Sequence, residues 1–241
     1  VGDIKLNGNP TSNLFITDIA LDINTGTMYA ITDTTLYTLD YLHPSSNIVT
    51  AEAVGTGTTV TLLEGLTVSS TGILYADSFY SGNGNNQYGH LYTLNTTTGT
   101  ATNIGGNGAG SGNDNYGNFG DLAFVGSNLY GTIAEAKTSG IFWGSINTGT
   151  GAATPNVTAI GVNIDGLAYM NSTSTLYGIS RTGTLYTINP TTGALITTIP
   201  TTGFDPGDTV YGMTVPLPPS ALLLGSGLLG LGLLSWRRKI G

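Results

Sequence analysis

Cysteine is absent from this chain, which excludes disulfides, thiolate metal sites and thiol nucleophiles. Charge is nearly as scarce: 8% of residues are charged, against roughly a quarter in an ordinary globular domain. Basic residues are scarcest of all, with six Lys and Arg against 14 Asp and Glu. Lys5, Lys137 and Arg181 are the only basic residues before position 237, and every acidic residue lies at or before Asp208. That body repels phosphates, so nucleic acid is excluded as a partner. Two histidines, His43 and His90, are too few for a three-His metal centre. No G-x-S-x-G elbow is present, and no catalytic residue is assigned. The sequence begins at Val1 with no visible signal peptide, so it is expected to be a processed form or a fragment.

What is there is repetitive. Gly is abundant at 37 residues, and 13 Tyr together with Leu, Ile and Val are spread along the body. β-branched and aromatic residues among turn formers predict strands rather than helices. Five pentads align: TDIAL at 17–21, EGLTV at 64–68, GDLAF at 120–124, DGLAY at 165–169 and YGMTV at 211–215. The first four are each followed by an apolar-Tyr pair (Met28-Tyr29, Leu74-Tyr75, Leu129-Tyr130, Leu176-Tyr177), then by a third run such as TLYTLD or TLYTIN and a Thr-rich fourth. Asn95, Asn147 and Asn189 each stand four residues before a Gly, as Asp22 does before Gly26. An Asn side chain that bonds its own backbone and a Gly of positive φ make a tight reversal.

Four short antiparallel strands in each of several periods of about 45 residues are the signature of β-propeller blades, which bury their faces on one another. The expected fold is therefore all-β: a β-propeller of about four to five four-stranded blades over 1–215, followed by a C-terminal segment at 216–241. YGMTV is a first strand with no following strands, and GDIKLNG at 2–8 is expected to complete its blade from the other terminus.

The rhythm DGLAY…LYGI…GTLYTINPTTG resembles secreted bacterial propellers, including those with NHL-like repeats. The resemblance implies that the pentads are innermost and that Asp18, Glu64, Asp121 and Asp165 enter near one mouth of the central channel. Such carboxylates suit Ca2+ or another hard cation, and equally suit capping of the turns before their strands. No other cofactor is expected. Two Gly/Asn loops, at 81–89 and 105–120, read as surface insertions; the second resembles the RTX calcium nonapeptide but lacks the needed Asp, with Gly110 at the sixth position. Tyr29, Tyr75, Tyr130 and Tyr177 occupy equivalent positions, which points to packing.

The last 27 residues differ from the rest. Ser220 to Trp236 carries no charge; as a helix it rises about 26 Å, near the short limit for spanning a bilayer. Arg237, Arg238 and Lys239 follow as a basic stop, which the positive-inside rule places in the cytoplasm. Val215-Pro216-Leu217-Pro218-Pro219, this apolar run and the basic cluster together resemble a PEP-CTERM sorting signal of the VPLPA type, with Leu217 in place of Glu. That resemblance implies an exosortase partner, a transient inner-membrane anchor through one transmembrane helix, and release to the cell surface or exopolysaccharide matrix of a Gram-negative bacterium. The function expected is a non-enzymatic binding or structural role at the surface, with exopolysaccharide or another cell-surface polymer as partner. The alternative is an extracellular propeller hydrolase or lyase acting on a polymer, with carboxylates at the channel mouth.

Overall fold

The computed structural model describes residues 3–7, 14–45, 48–58, 60–78, 90–104, 116–135, 141–201 and 210–214. Among these residues seventeen strands form four sheets. The first sheet contains β1 (Asp3–Leu6), β2 (Asp18–Asp22), β3 (Thr27–Ile31), β4 (Leu36–Ser45) and β5 (Ile48–Ala53). The second contains β6 (Leu63–Val68), β7 (Leu74–Ser78), β8 (Leu91–Leu94) and β9 (Ala101–Asn103). The third is β10 (Tyr116–Val125), β11 (Asn128–Glu135), β12 (Ile141–Ile146) and β13 (Ala153–Ala159). The fourth is β14 (Ile164–Met170), β15 (Thr175–Ser180), β16 (Leu185–Ile188) and β17 (Leu195–Ile199). In the last three, strands pair in chain order as antiparallel meanders, so the molecule is a four-bladed β-propeller.

Local chemistry explains the meanders. Asn95 Oδ1 accepts hydrogen bonds from the N–H groups of Thr97 (2.8 Å) and Thr98 (2.9 Å), and the Gly99 N–H closes the turn on the Asn95 carbonyl. Gly99 has φ 73°, a left-handed conformation that glycine adopts without steric cost. Asn147 and Asn189 repeat this device between the third and fourth strands of their blades. Asp22 does the same through Asn24 between β2 and β3.

The core lies between blades. Side chains alternate across a strand. In β7, Leu74 and Ala76 pack with Ile31, Leu36 and Leu63, while Tyr75 points the other way and packs with Leu122, Leu129 and Ile133 of blade three. Trp143, Leu167, Leu176 and Ile188 fill the next joint. Burying each such Leu or Ile contributes ~1.5–3 kcal/mol. The repeated tyrosines do pack: Tyr75 meets Phe124 edge-on at 5.3 Å, and Tyr130 stacks on Trp143 at 5.6 Å.

The termini depart from expectation. β1 does not join the fifth pentad. It pairs in parallel with β5, in register Asp3↔Ile48 to Leu6↔Ala51, and gives blade one a fifth strand. Its alternation explains this, because Ile4 and Leu6 share an apolar face with Val49 and Ala51. Residues 210–214 instead stand alone between β14 and β2. A Cβ on Gly166 would lie 2.9 Å from Gly212, and one on Gly212 would overlap Asp18. The inner ring thus has five positions, four of them strands of blades.

The sorting motif, the apolar run and the basic cluster at 215–241 lie outside the described residues, as do loop residues 81–89 and 105–115. Among the described residues no helix is long and apolar enough to cross a membrane.

Candidate functional site

The five inner segments run side by side, so equivalent pentad positions form rings around the axis. The second position holds Asp18, Gly65, Asp121, Gly166 and Gly212 in turn. The glycines make room for the two acids: a Cβ on Gly65 would come within 2.8 Å of Asp77 Oδ1 and 3.3 Å of Asp121 Oδ1. The first position holds Thr17, Glu64, Gly120, Asp165 and Tyr211. The four acids expected at one mouth therefore do share one end of the channel, but on two tiers.

Asp18 and Asp121 form the inner tier and are fully buried. Asp18 Oδ1 accepts the Ile19 N–H (2.7 Å), and its Oδ2 reaches across to the Leu66 N–H of blade two (2.5 Å). Asp121 repeats the pattern one joint further on, accepting the Leu122 N–H (2.6 Å) and the Leu167 N–H of blade four. Each carboxyl therefore stitches its own inner strand to a neighbouring one. The two acids also share a side-chain hydrogen bond. Burial, with the Asp121 charge and that bond, holds Asp18 well above the usual carboxylate range. Burial pushes Asp121 up to about 7, against the pull of its hydrogen bonds.

Glu64 and Asp165 form the outer tier with two residues that the sequence did not single out. Arg181, at the end of β15, donates from Nη2 to Asp165 Oδ1 at 2.8 Å. Its guanidinium carbon lies 5.5 Å above the Tyr211 ring, and Tyr211 meets Phe15 edge-on at 5.0 Å. Asp77 of β7 is completely buried; its Oδ1 accepts the Gly65 N–H at 2.6 Å. Asp77 Oδ2 and Asp165 Oδ2 are buried with no hydrogen-bond partner. Burial pushes Glu64 up to about 7, with Arg181 opposing and Asp165 adding to the rise. Burial and the Glu64 charge hold Asp77 well above its usual range. A carboxyl that titrates near neutrality beside a guanidinium can exchange a proton with a bound molecule. The available signals were slight: Arg181 is one of three basic residues in the body, and Asp77 interrupts an otherwise apolar run, LYADS.

Each oxygen of Asp18 and Asp121 already accepts one backbone amide hydrogen, and burial favours the protonated form of both, which makes them poor ligands for a hard cation. Among the described residues no three His, Cys, Asp or Glu side chains converge as metal ligands. The imidazoles stand apart from the channel acids: His43 Nδ1 is 2.9 Å from Asp40 Oδ1 on an exposed stretch of β4, and His90 lies 3.2 Å from Asn103.

The opposite end of the channel differs in character. Among the described residues, the C-terminal halves of all five inner segments enclose a cavity of about 460 Å3. Leu21, Leu66, Phe124, Leu167, Met170 and Met213 contribute apolar walls, and Ser69, Ser70, Asn171 and Ser172 stand on the turns at its edge. No acidic or basic side chain lines it. Nothing in the sequence alone marked this cavity, because it is made by five segments spread over some two hundred residues.

No protein-family model and no curated protein sequence matches the chain. Solved structures do. The chain is similar to a gluconolactonase from Xanthomonas campestris, with a TM-score of 0.50 and 13% identity over 84% of this chain and 67% of that one. It is also similar to a candidate oxidoreductase (glucose dehydrogenase) from Thermus thermophilus, with a TM-score of 0.45 and 15% identity over 73% of this chain and 63% of the other. A candidate 6-phosphogluconolactonase from Bacteroides uniformis follows, with a TM-score of 0.41 and 18% identity over 81% and 57%. The chain thus spans two thirds or less of the length of these structures, and the likeness to the first supports the propeller fold.

Proposed function

We propose that this chain is an exported propeller, held at the bacterial inner membrane by its C-terminal run until an exosortase releases it to the cell surface or exopolysaccharide matrix, where it binds rather than converts its ligand. The sorting reading rests on the order of the Pro216 motif, the apolar run and Arg237 to Lys239. The binding reading rests on one observation: Asp18 and Asp121, the innermost acids of the channel, spend both oxygens on backbone N–H groups of two inner strands. Their work is to hold the ring together. Expression of the full chain with and without an exosortase tests sorting. A cleaved product outside the cell only when the exosortase is present supports it, and retention of the uncleaved chain in both cases sinks it. Pull-down on matrix polysaccharides tests binding, and failure on every polymer tried counts against that role.

One observation favours the second reading, hydrolysis. Glu64 titrates near 7, and Asp165 offers an unpartnered oxygen beside Arg181. In that reading Glu64 takes a proton from water as it attacks a lactone carbonyl, Arg181 steadies the oxyanion, and collapse of the adduct breaks the ring acyl–oxygen bond while Glu64 returns the proton to the departing oxygen. Sugar lactones are the substrates to try first, given the fold shared with the Xanthomonas gluconolactonase. Turnover that is lost in Glu64→Gln and retained in Asp40→Ala would establish it.

A further inference from the structure

We infer that the cavity end of the propeller faces the membrane while the chain is tethered, and that the cavity takes one acyl chain of a bilayer lipid. The inference rests on the tether reading above and adds an orientation and a ligand to it. Thr214 is part of the cavity wall, at the end of the fifth inner segment. The uncharged run begins at Ser220. The six steps from Thr214 to Ser220 span at most roughly 22 Å when fully extended. A bilayer entered at Ser220 therefore lies within that distance of the cavity mouth.

The surface at that mouth is suited to such a neighbour. Ile23 lines the opening and is 51% exposed, and Ile73 on the adjoining turn is 45% exposed. The two turns are joined by a hydrogen bond from Asn24 Nδ2 to the Ser70 carbonyl (3.2 Å), so both isoleucines stand on one linked edge. The cavity, at about 460 Å3, falls within the ~300–1,000 Å3 of sites that enclose small molecules. Its walls are apolar and its edge carries hydroxyls and an amide, the order of polarity from chain to headgroup in a lipid. Asp18, Asp77 and Asp121 lie toward the other end of the inner strands, whereas Asp22, buried at the cavity end of β2, does not line the cavity and already accepts from the Asn24 N–H (2.9 Å) and the Thr25 hydroxyl (2.8 Å).

The test uses the full chain in phosphatidylcholine vesicles whose acyl chains carry bromine, which quenches nearby tryptophan. Three variants place a reporter at the rim (Ile23→Trp), inside the cavity (Phe124→Trp) and at the opposite end (Phe15→Trp), each compared with the parent chain. The expected result is loss of most of the added emission at positions 23 and 124 and none at 15. Quenching at 15 that equals or exceeds that at 23 overturns the orientation. Quenching at 23 without quenching at 124 overturns the lipid seat. Should Phe124→Trp fail to fold, Tyr169→Trp replaces it on the same cavity wall. Flotation of the parent chain with the vesicles reads the tether separately: a chain that does not float overturns both the tether and this inference, whereas a floating chain with the wrong quenching pattern overturns the inference alone.

Discussion

Replacing Asp121 with alanine removes the acceptor of two buried backbone donors, Leu122 N–H at 2.6 Å and Leu167 N–H. A buried donor left without a partner costs ~1–3 kcal/mol, so two cost roughly 2–6 kcal/mol. Two effects lower that figure. The substitution also removes a desolvated carboxyl whose charge burdens Asp18. A water can occupy the vacated space, which offers polar partners in the two amides and in the Thr132 hydroxyl that accepts the Asp121 N–H (3.2 Å). The expected net loss is therefore about 2–4 kcal/mol, the lower part of the range set by the unpaired donors. For a chain of this length, each kcal/mol lowers Tm by roughly 2–4 °C, which places the shift at roughly 4–16 °C. Circular dichroism melts and urea titrations of Asp121→Ala against the parent measure it. The urea midpoint should fall while its slope stays the same, since the surface exposed on unfolding does not change. Asp40→Ala serves as the control, because Asp40 is exposed and its change should fall within ~0.5 kcal/mol. A loss in Asp121→Ala no larger than that of the control would refute the stitching role and return Asp121 to the candidates for chemistry.

Three further outcomes follow from the same structure. Stability falls as pH rises: Asp18, Asp77, Asp121 and Glu64 hold protons more tightly folded than unfolded, so their contribution is complete below the ordinary carboxylate range and is lost as pH rises through their raised folded values, about 7 for Asp121 and Glu64. For Asp121 alone, a pKa of about 7 against 3.8 sets an upper bound of roughly 4 kcal/mol, and a urea midpoint higher at pH 8 than at pH 5 contradicts the reasoning. Gly193→Ala places a methyl at φ 74° against Trp143, whose Nε1 donates to the Pro190 carbonyl at 2.7 Å. Backbone strain and overpacking together should destabilise by roughly 2–5 kcal/mol, with Trp143 emission moving to the red; an unchanged melt argues against that packing. Saturating Ca2+ should leave Tm unchanged, because backbone amides already hold the inner carboxyls and burial favours their protonated forms; a rise that Asp165→Asn or Glu64→Gln abolishes assigns the outer tier to a cation instead.

The repeat was legible because its signals are local. An Asn four residues before a Gly, and a Leu-Tyr pair alternating across a strand, act within a few residues of one another, and the structure uses each as the sequence implies. The two tiers of acids were also present in the aligned pentads: Asp18 and Asp121 occupy the second position, Glu64 and Asp165 the first. Sequence alone gives no reason to weigh that one-residue offset. It acquires meaning only where a second-position acid meets a neighbour's glycine and amide. Arg181 and Asp77 were hidden for a related reason, since they come from second strands and reach the axis only once the blades have stacked. The partner of β1 was misjudged because a four-residue strand fits any edge with a matching apolar face, and blade one offered a longer one than the fifth segment did.

The fifth inner position shows how a ring closes with one strand's width and no fifth sheet among the described residues. Gly212 allows its backbone to lie against Asp18, which a side chain there would displace. On the outer tier, Asp165, Arg181, Tyr211 and Phe15 form a continuous line from blade four, across the fifth segment, to the irregular stretch that leads into β2 of blade one. An exposed cation–π contact and one aromatic pair contribute ~0.5–1.5 kcal/mol each. Each of the other three joints buries several large apolar side chains, at ~1.5–3 kcal/mol apiece. Among the described residues, the joint at 210–214 is therefore the most lightly packed of the ring.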